Sequence, residues 1–318
     1  MGKNQTFVTE FIIIGFSTLP RQQHLLFVVS LLIYILTITG NIVIIVLIVI
    51  DRSLHTPMYF FLSIFSFSEI TYVTVIEPNM IAAFLVEKQT ISYSHCMAQL
   101  YFFVALLSTE SFLLAVMAYD RYMAICNPLH YTTIMNECFC IRLALSTWML
   151  GFFVPVIPLI LISKLHFCGP NTINHFYCDY SLLLNLSCTD ITVIKVYGLI
   201  FAPLIILASF LSALMSYAYI ISTILRIPSA TGRRKAFSTC ASHLIVVIVF
   251  FGSGILIYAT PSPNYALDFN KTVSVFYTVG VPLLNPFIYS LRNKEVKDAL
   301  CKLLKENSSL DMKAWNLK

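Results

Sequence analysis

The sequence predicts an all-α bundle of seven membrane-spanning helices, with its N-terminus outside the cell and a short amphipathic helix after the seventh span. Three observations predict it. The 318 residues are 58% hydrophobic and only 11% charged, with a mean hydropathy of +0.82, which is more apolar surface than a water-soluble chain can hide. Seven apolar runs reach the ~20 residues needed to cross ~30 Å of hydrocarbon: Leu25–Ile50, Met58–Val86, Met97–Ile125, Leu143–Ser163, Val196–Leu225, Ala241–Thr260 and Thr272–Leu291. Lys and Arg divide unevenly between the links. One side carries Arg52, Arg121, Arg142, Arg226, Arg233, Arg234, Lys235, Arg292 and the tail lysines, the other only Lys3, Arg21, Lys88, Lys164, Lys195 and Lys271, so the first side is cytoplasmic. The chain is thus expected to divide into an outer tail (1–24), a seven-span domain (25–291) and a cytoplasmic tail (292–318).

Residues 1–24 hold the sequon Asn4-Gln5-Thr6, and an outer sequon makes Asn4 the leading glycosylation site. No cleavable signal is expected, because Phe11–Ile14 is too short an apolar core and no basic region leads into it. Span one carries Gly40-Asn41, where a buried amide needs partners from other helices. Pro57 starts span two, where its missing N–H costs nothing. Glu69 lies near the middle of that span and Glu110 in span three. Two carboxylates at membrane depth are too costly to leave as lone charges. They either share a proton or hold a cation, for which Na+ suits oxygen ligands. Glu77, a turn from the outer end of span two, is expected to snorkel.

Span three ends in Met117 to Cys126, where Asp120, Arg121 and Tyr122 follow an apolar run. Pairing of Asp120 with Arg121 would lower the cost of both charges at the interface. Pro128 is expected to end that helix. Between spans four and five, a long outer loop holds Cys168, Cys178 and Cys188, and Cys96 opens span three. Four outer cysteines allow three pairings; the pairing expected is Cys96–Cys178, leaving Cys168–Cys188 to close the loop on itself in an oxidising exterior. The other five cysteines should be reduced. Sequons at Asn185 and Asn270 are poorer glycan candidates, one inside the loop and one against the membrane. Pro155, Pro158, Pro203, Pro282 and Pro286 are expected to kink their spans without breaking them. After Leu291, the apolar residues Val296, Leu300, Leu303 and Leu304 recur at helical spacing among lysines, which predicts a helix along the inner leaflet, with Cys301 as a candidate for palmitoylation.

Gly40-Asn41, Pro57 to Ser63, Met117 to Cys126, Ser216-Tyr217, Lys235 to His243 and Pro282 to Tyr289, in this order across seven spans, resemble the odorant receptors, a large branch of the rhodopsin-like G-protein-coupled receptors. The resemblance covers essentially the whole chain, and Lys235-Ala236-Phe237-Ser238-Thr239-Cys240-Ala241-Ser242-His243 separates odorant receptors from the rest of the wider family. It implies a plasma-membrane sensory receptor that is not an enzyme, activates the olfactory stimulatory heterotrimeric G protein and raises cyclic AMP. Asp120, Arg121, Tyr122, Tyr217, Asn285, Pro286 and Tyr289 would form the coupling switch. Arg121, held by Asp120 at rest, would join Tyr217 and Tyr289 to receive the G protein when helix six moves outward, and Arg233, Arg234 and Lys235 would face the partner and anionic lipid.

Helical spacing puts Phe103, Val104, Leu107 and Ser108 toward the outer half of the bundle, and the resemblance places Phe201, Ile205, Phe251, Ile255, Tyr258 and Thr278 opposite. Such a lining suits a small, mostly apolar, volatile odorant, with Ser108, Tyr258 or Thr278 giving one or two orienting hydrogen bonds. Phe103 stands where amine receptors of the wider family carry an acid, which argues against a cationic transmitter. Two departures from the wider family matter. Glu69 replaces the usual aspartate, which changes any cation geometry, and Phe251-Gly252 replaces the tryptophan and proline of helix six, which implies a softer transmission step. No cofactor beyond a structural Na+ and no nucleic-acid partner is expected. The alternatives are a non-olfactory rhodopsin-like receptor for a lipophilic ligand, and a channel or transporter using Glu69 and Glu110. The second would call for internal repeats, and the seven unequal spans show none.

Overall fold

The computed structural model describes residues 8–14, 23–86, 88–168, 170–259, 273–293, 295–303 and 305. Asn4 and the Asn270 sequon lie outside them, as do the side chains of Lys235 and Tyr258. Seven helical segments are long and apolar enough to cross a membrane. Their exposed faces carry residues such as Leu32, Val49, Leu145, Leu199 and Leu256, the solvent-side pattern required when the solvent is hydrocarbon.

The first helix, α1 (Gln23–Ile50), turns Thr37, Asn41, Ile44 and Leu47 inward. Asp51 then accepts from the Ser53 amide (2.9 Å) and hydroxyl (2.8 Å), starting a short 3-10 turn. Next, α2 (Pro57–Ala83) begins at Pro57 as expected. The central helix α3 (Tyr93–Cys126) is capped by the Ser92 hydroxyl and packs against α2 and against the helices of spans four and five. Pro128 opens a further helix, α4 (Pro128–Ile134), instead of leaving a loop. At a first helical position its missing N–H is one of the orphans anyway, so the residue that stops α3 serves equally well as a start. Span four is two helices, α5 (Glu137–Phe153) and α6 (Val156–Ser163), divided at Pro155.

A short helix, α7 (Tyr180–Asn185), follows in the long loop, capped by Asp179. Then come α8 (Thr192–Leu225), with Pro203 inside it, and α9 (Ala230–Ala259). The latter starts eleven residues before the expected Ala241, because the basic stretch continues the helix past the hydrocarbon. Span seven contains a π-helical turn, Phe276–Gly280, ahead of α10 (Val281–Arg292). The Pro282 ring would collide with the carbonyl four residues back in a regular helix, and widening the preceding turn makes room for it. Residues 295–303 form α11, started by Asn293 Oδ1, which accepts from the amides of Glu295 (3.0 Å) and Val296 (3.4 Å). Its apolar face, Val296, Ala299, Leu300 and Leu303, packs on the bundle.

Two contacts fix the spacing of these helices. A Cβ on Gly40 would lie 2.9 Å from Cβ of Pro286, and one on Gly151 would lie 2.0 Å from Thr109 Oγ1. Glycine at these places lets α1 reach α10 and α5 reach α3. The tail adds a strand that the helical expectation missed. β1 (Glu10–Ile13) pairs antiparallel with β2 (Gln89–Ser92) and parallel with β3 (Thr172–Ile173), in the order β2-β1-β3. Its alternate residues Phe11 and Ile13 are buried, with Phe11 edge-on to Phe167 at 5.3 Å.

Candidate functional site

At the end of the bundle that carries the disulfides, Cys96 is joined to Cys178 and Cys168 to Cys188, with Cα–Cα distances of 5.5 and 5.6 Å. Gln99 completes the first link: its Oε1 accepts from the Cys178 amide (3.1 Å) and its Nε2 donates to the Val75 carbonyl (3.1 Å). The loop is therefore held to α3 and α2 together. That hold buries Phe176 and Tyr177, and Tyr177 lies 5.2 Å from Phe103, which lies 5.8 Å from Tyr72.

Below this aromatic stack, Val104 and Leu107 are half-buried and Ser108 is buried. Across the bundle Ile205 is half-buried, while Phe251 and Thr278 are buried, with Phe251 5.3 Å from Phe210. Ser108 donates its hydroxyl proton to Val104 O (2.8 Å) and Thr278 to Ser274 O (2.8 Å). Two of the expected lining residues are not enclosed: Phe201, stacked on Tyr197 at 4.3 Å, is 42% exposed and Ile255 is 41% exposed. Sequence reasoning missed Tyr72 and Tyr177. The available signal for Tyr177 was its place beside Cys178, since a bridged cysteine fixes its neighbours as well.

About one turn from Tyr72 along α2, Asn285 Nδ2 donates to Glu69 Oε1, and Ser68 Oγ donates to Glu110 Oε1 at 3.3 Å. Both acids are buried, and Glu69 Oε2 and Asn285 Oδ1 have no partner among the described residues. Glu77 departs from expectation. It does not snorkel: its exposure is 0% and neither carboxyl oxygen has a partner among the described residues. It lies on the flank of α2 where Val73 and Ile81 are also buried, so the packed helix leaves the side chain no route to the interface.

At the opposite end, Asp120 is fully buried and its Oδ1 accepts from the Tyr131 hydroxyl at 2.9 Å. The expected ion pair with Arg121 is not formed within 4 Å; among the described residues the one such pair is Lys302–Asp51, at 3.8 Å. Successive residues on a helix point about 100° apart, so neighbours such as Asp120 and Arg121 do not face one another. Burial, followed by the Asp120 charge, holds the Tyr131 phenol above its ordinary range, which keeps its proton available for this bond. Tyr122 packs 5.8 Å from Tyr219. The Tyr217 hydroxyl lies 2.7 Å from His243 Nδ1, joining α8 to α9, and both residues are buried. Tyr289 is buried with its hydroxyl unpartnered among the described residues, and Pro286 lies against Gly40. Of the expected switch residues, Asp120 and Tyr217 are each bonded to a partner, Tyr131 and His243, that had not been placed in the switch, while Asn285 is bonded to Glu69 instead.

A seven-span bundle with an aromatic lid at one end and two hydrogen-bonded clusters at the other has the layout of a membrane receptor. A family model described as Olfactory receptor matches residues 30–307. Olfactory receptor 6N1 of Homo sapiens is 50% identical over 302 residues, covering 95% of this chain and 97% of its own length. Olfactory receptor 226 of Rattus norvegicus is 52% identical over 301 residues (93% and 92%), and Olfactory receptor 6A2 of Homo sapiens 53% over 298 (92% and 91%). The chain belongs to the olfactory receptor family, whose members are receptors of the plasma membrane and not enzymes. Membership sets aside the channel and the non-olfactory receptor.

Proposed function

We propose that this receptor binds small, mostly apolar volatile molecules under the Phe176–Tyr177 lid and, on binding, activates the olfactory stimulatory heterotrimeric G protein, raising cyclic AMP. The observation that carries the ligand side is the packing of Tyr177 on Phe103 at 5.2 Å, which sets an aromatic roof beside the apolar side chains of Leu106 and Leu107. A wall of this composition holds a ligand through burial of apolar area, about 25 cal/mol per Å2, and leaves orientation to a few polar atoms. The disulfide end faces outward and the Arg121 end inward, in keeping with the Lys and Arg asymmetry, and Asn4 carries the glycan.

Coupling is a population shift. A ligand moves the equilibrium only by its differential affinity for the open state. Opening means separating α9 from α8, which breaks the Tyr217–His243 contact and releases Tyr217 to meet Arg121 and Tyr289 around the inserted G-protein segment. Glu69 and Glu110 share a proton or hold Na+; the unpartnered Glu69 Oε2 beside Asn285 is the kind of hard oxygen donor that such a cation takes. The test is a cyclic-AMP assay in cells carrying the olfactory stimulatory G protein, run on a broad odorant panel. Wild-type receptor should respond, Arg121→Ala at matched surface density should be silent, and Phe103→Ala should lose potency for every agonist. Responses that survive Arg121→Ala would sink the coupling scheme.

A further inference from the structure

Resting on that ligand cavity, we propose that Tyr72 is the residue that selects for oxygen-bearing odorants: its phenol donates the orienting hydrogen bond to an aldehyde, ketone or ester oxygen of the ligand. Tyr72 is 2% exposed, yet its hydroxyl has no hydrogen-bond partner among the described residues. Its ring lies 5.8 Å from Phe103, under the lid formed by Tyr177. Along α2, Tyr72 stands three residues, about one turn, from the buried Glu69. It therefore marks the floor of the aromatic stack, where a ligand's polar end would come to rest.

Among the described residues, the hydroxyls of Ser108 and Thr278 cannot play this part. Ser108 and Thr278 both spend their proton on the carbonyl four residues back in their own helix. In an apolar interior, turning that proton toward a ligand only exchanges one bond for another, so these side chains offer a ligand lone pairs and nothing more. A phenol is both donor and acceptor, and a buried one without a partner has a proton to give at no loss of an existing bond. Of these three hydroxyls, the one with a free proton among the described residues is that of Tyr72.

The test uses full-length receptor in the cyclic-AMP assay, with surface density measured by antibody staining. The probes are C6–C10 aldehydes and ketones, each matched with the analogue in which the carbonyl is replaced by a methylene or exo-methylene group. Wild type should prefer the carbonyl compound by about tenfold in EC50. Tyr72→Phe should raise the EC50 of the carbonyl compound by that factor, leave its analogue unchanged and leave surface density unchanged. Tyr72→Leu, which also lacks the phenol, stands in if the first variant is retained inside the cell. A preference that survives both substitutions overturns the proposal, as do equal shifts for both members of a pair, which would report packing. A panel whose agonists all lack an oxygen acceptor overturns it too. Phe103→Ala without effect on either member would instead remove the cavity on which the proposal stands.

Discussion

The disulfide end of the bundle is tied by two covalent bridges and a three-stranded sheet, with Gln99 stitching loop to α2 and α3. The Arg121 end is tied by side-chain hydrogen bonds, Tyr131 to Asp120, Tyr217 to His243 and the Cys240 carbonyl, and Tyr59 to Asn293 and Glu295, and, among the described residues, by one ion pair. Each such bond is worth about 1 kcal/mol net. A receptor needs this difference. On the function proposed above, the end that recognises must hold its shape, while the end that signals must separate at a cost a small ligand can supply.

The largest effect should come from breaking the covalent side. Cys178→Ser should remove most receptor from the cell surface, read by antibody staining, since losing such a bridge costs about 2–5 kcal/mol. Cys168→Ser should be milder. Its bridge spans 20 residues against 82, and chain entropy alone separates the two by about 1.3 kcal/mol. Equal losses would show that the sheet, and not the loop length, sets the rigidity of this end.

Next in size is Gly151→Ala. Its Cβ would meet Thr109 Oγ1 at 2.0 Å and the Thr109 amide nitrogen at 2.8 Å, so α5 must move off α3, at about 1–3 kcal/mol. Lower thermal stability of the detergent-extracted receptor, partly restored by Thr109→Ala, is the expected pattern. Restoration should stay partial, because the nitrogen remains.

On the signalling side, His243→Ala should raise cyclic AMP in the absence of odorant. Loss of about 1 kcal/mol shifts the resting ratio about fivefold toward the open state. Unchanged basal activity would mean that the Tyr217–His243 contact survives opening.

Lys302→Ala should change least, because exposed ion pairs contribute little. The Ser53 amide, then its hydroxyl, then Lys302, hold the Asp51 carboxyl below its ordinary range. A lowered carboxyl stabilises the fold above the ordinary carboxylate pKa and loses that contribution only as pH falls through the depressed value. Signalling measured between pH 6 and 8 should therefore be indifferent to Asp51.

The seven spans were legible because hydrocarbon thickness imposes a length that composition alone reveals. The cysteines were legible because four of them gather on one side. What escaped depends on tertiary contact. Phe11 and Ile13 alternate as a strand should, but four residues carry too little pattern to declare a sheet whose partners come much later. Glu77 near a helix end looks like a side chain that can reach water, and only the packing around it denies that. Asp120 and Arg121 sit side by side in the sequence, and the helix turns them apart. Tyr72 looks like one more aromatic until its unpartnered hydroxyl is seen.

The sheet has a consequence for biosynthesis. Ile12 is made before all seven spans, yet it pairs with Thr90 and with Thr172, which emerge after two and four spans have been made. Spans can insert one at a time, but the cap over them closes only when the long loop has been translated and oxidised. Non-local pairing of this kind is slow, and until it is complete the apolar side chains of Phe11 and Ile13 have no sheet neighbours to cover them. The cap at the disulfide end is therefore completed late, after the spans it covers have been made.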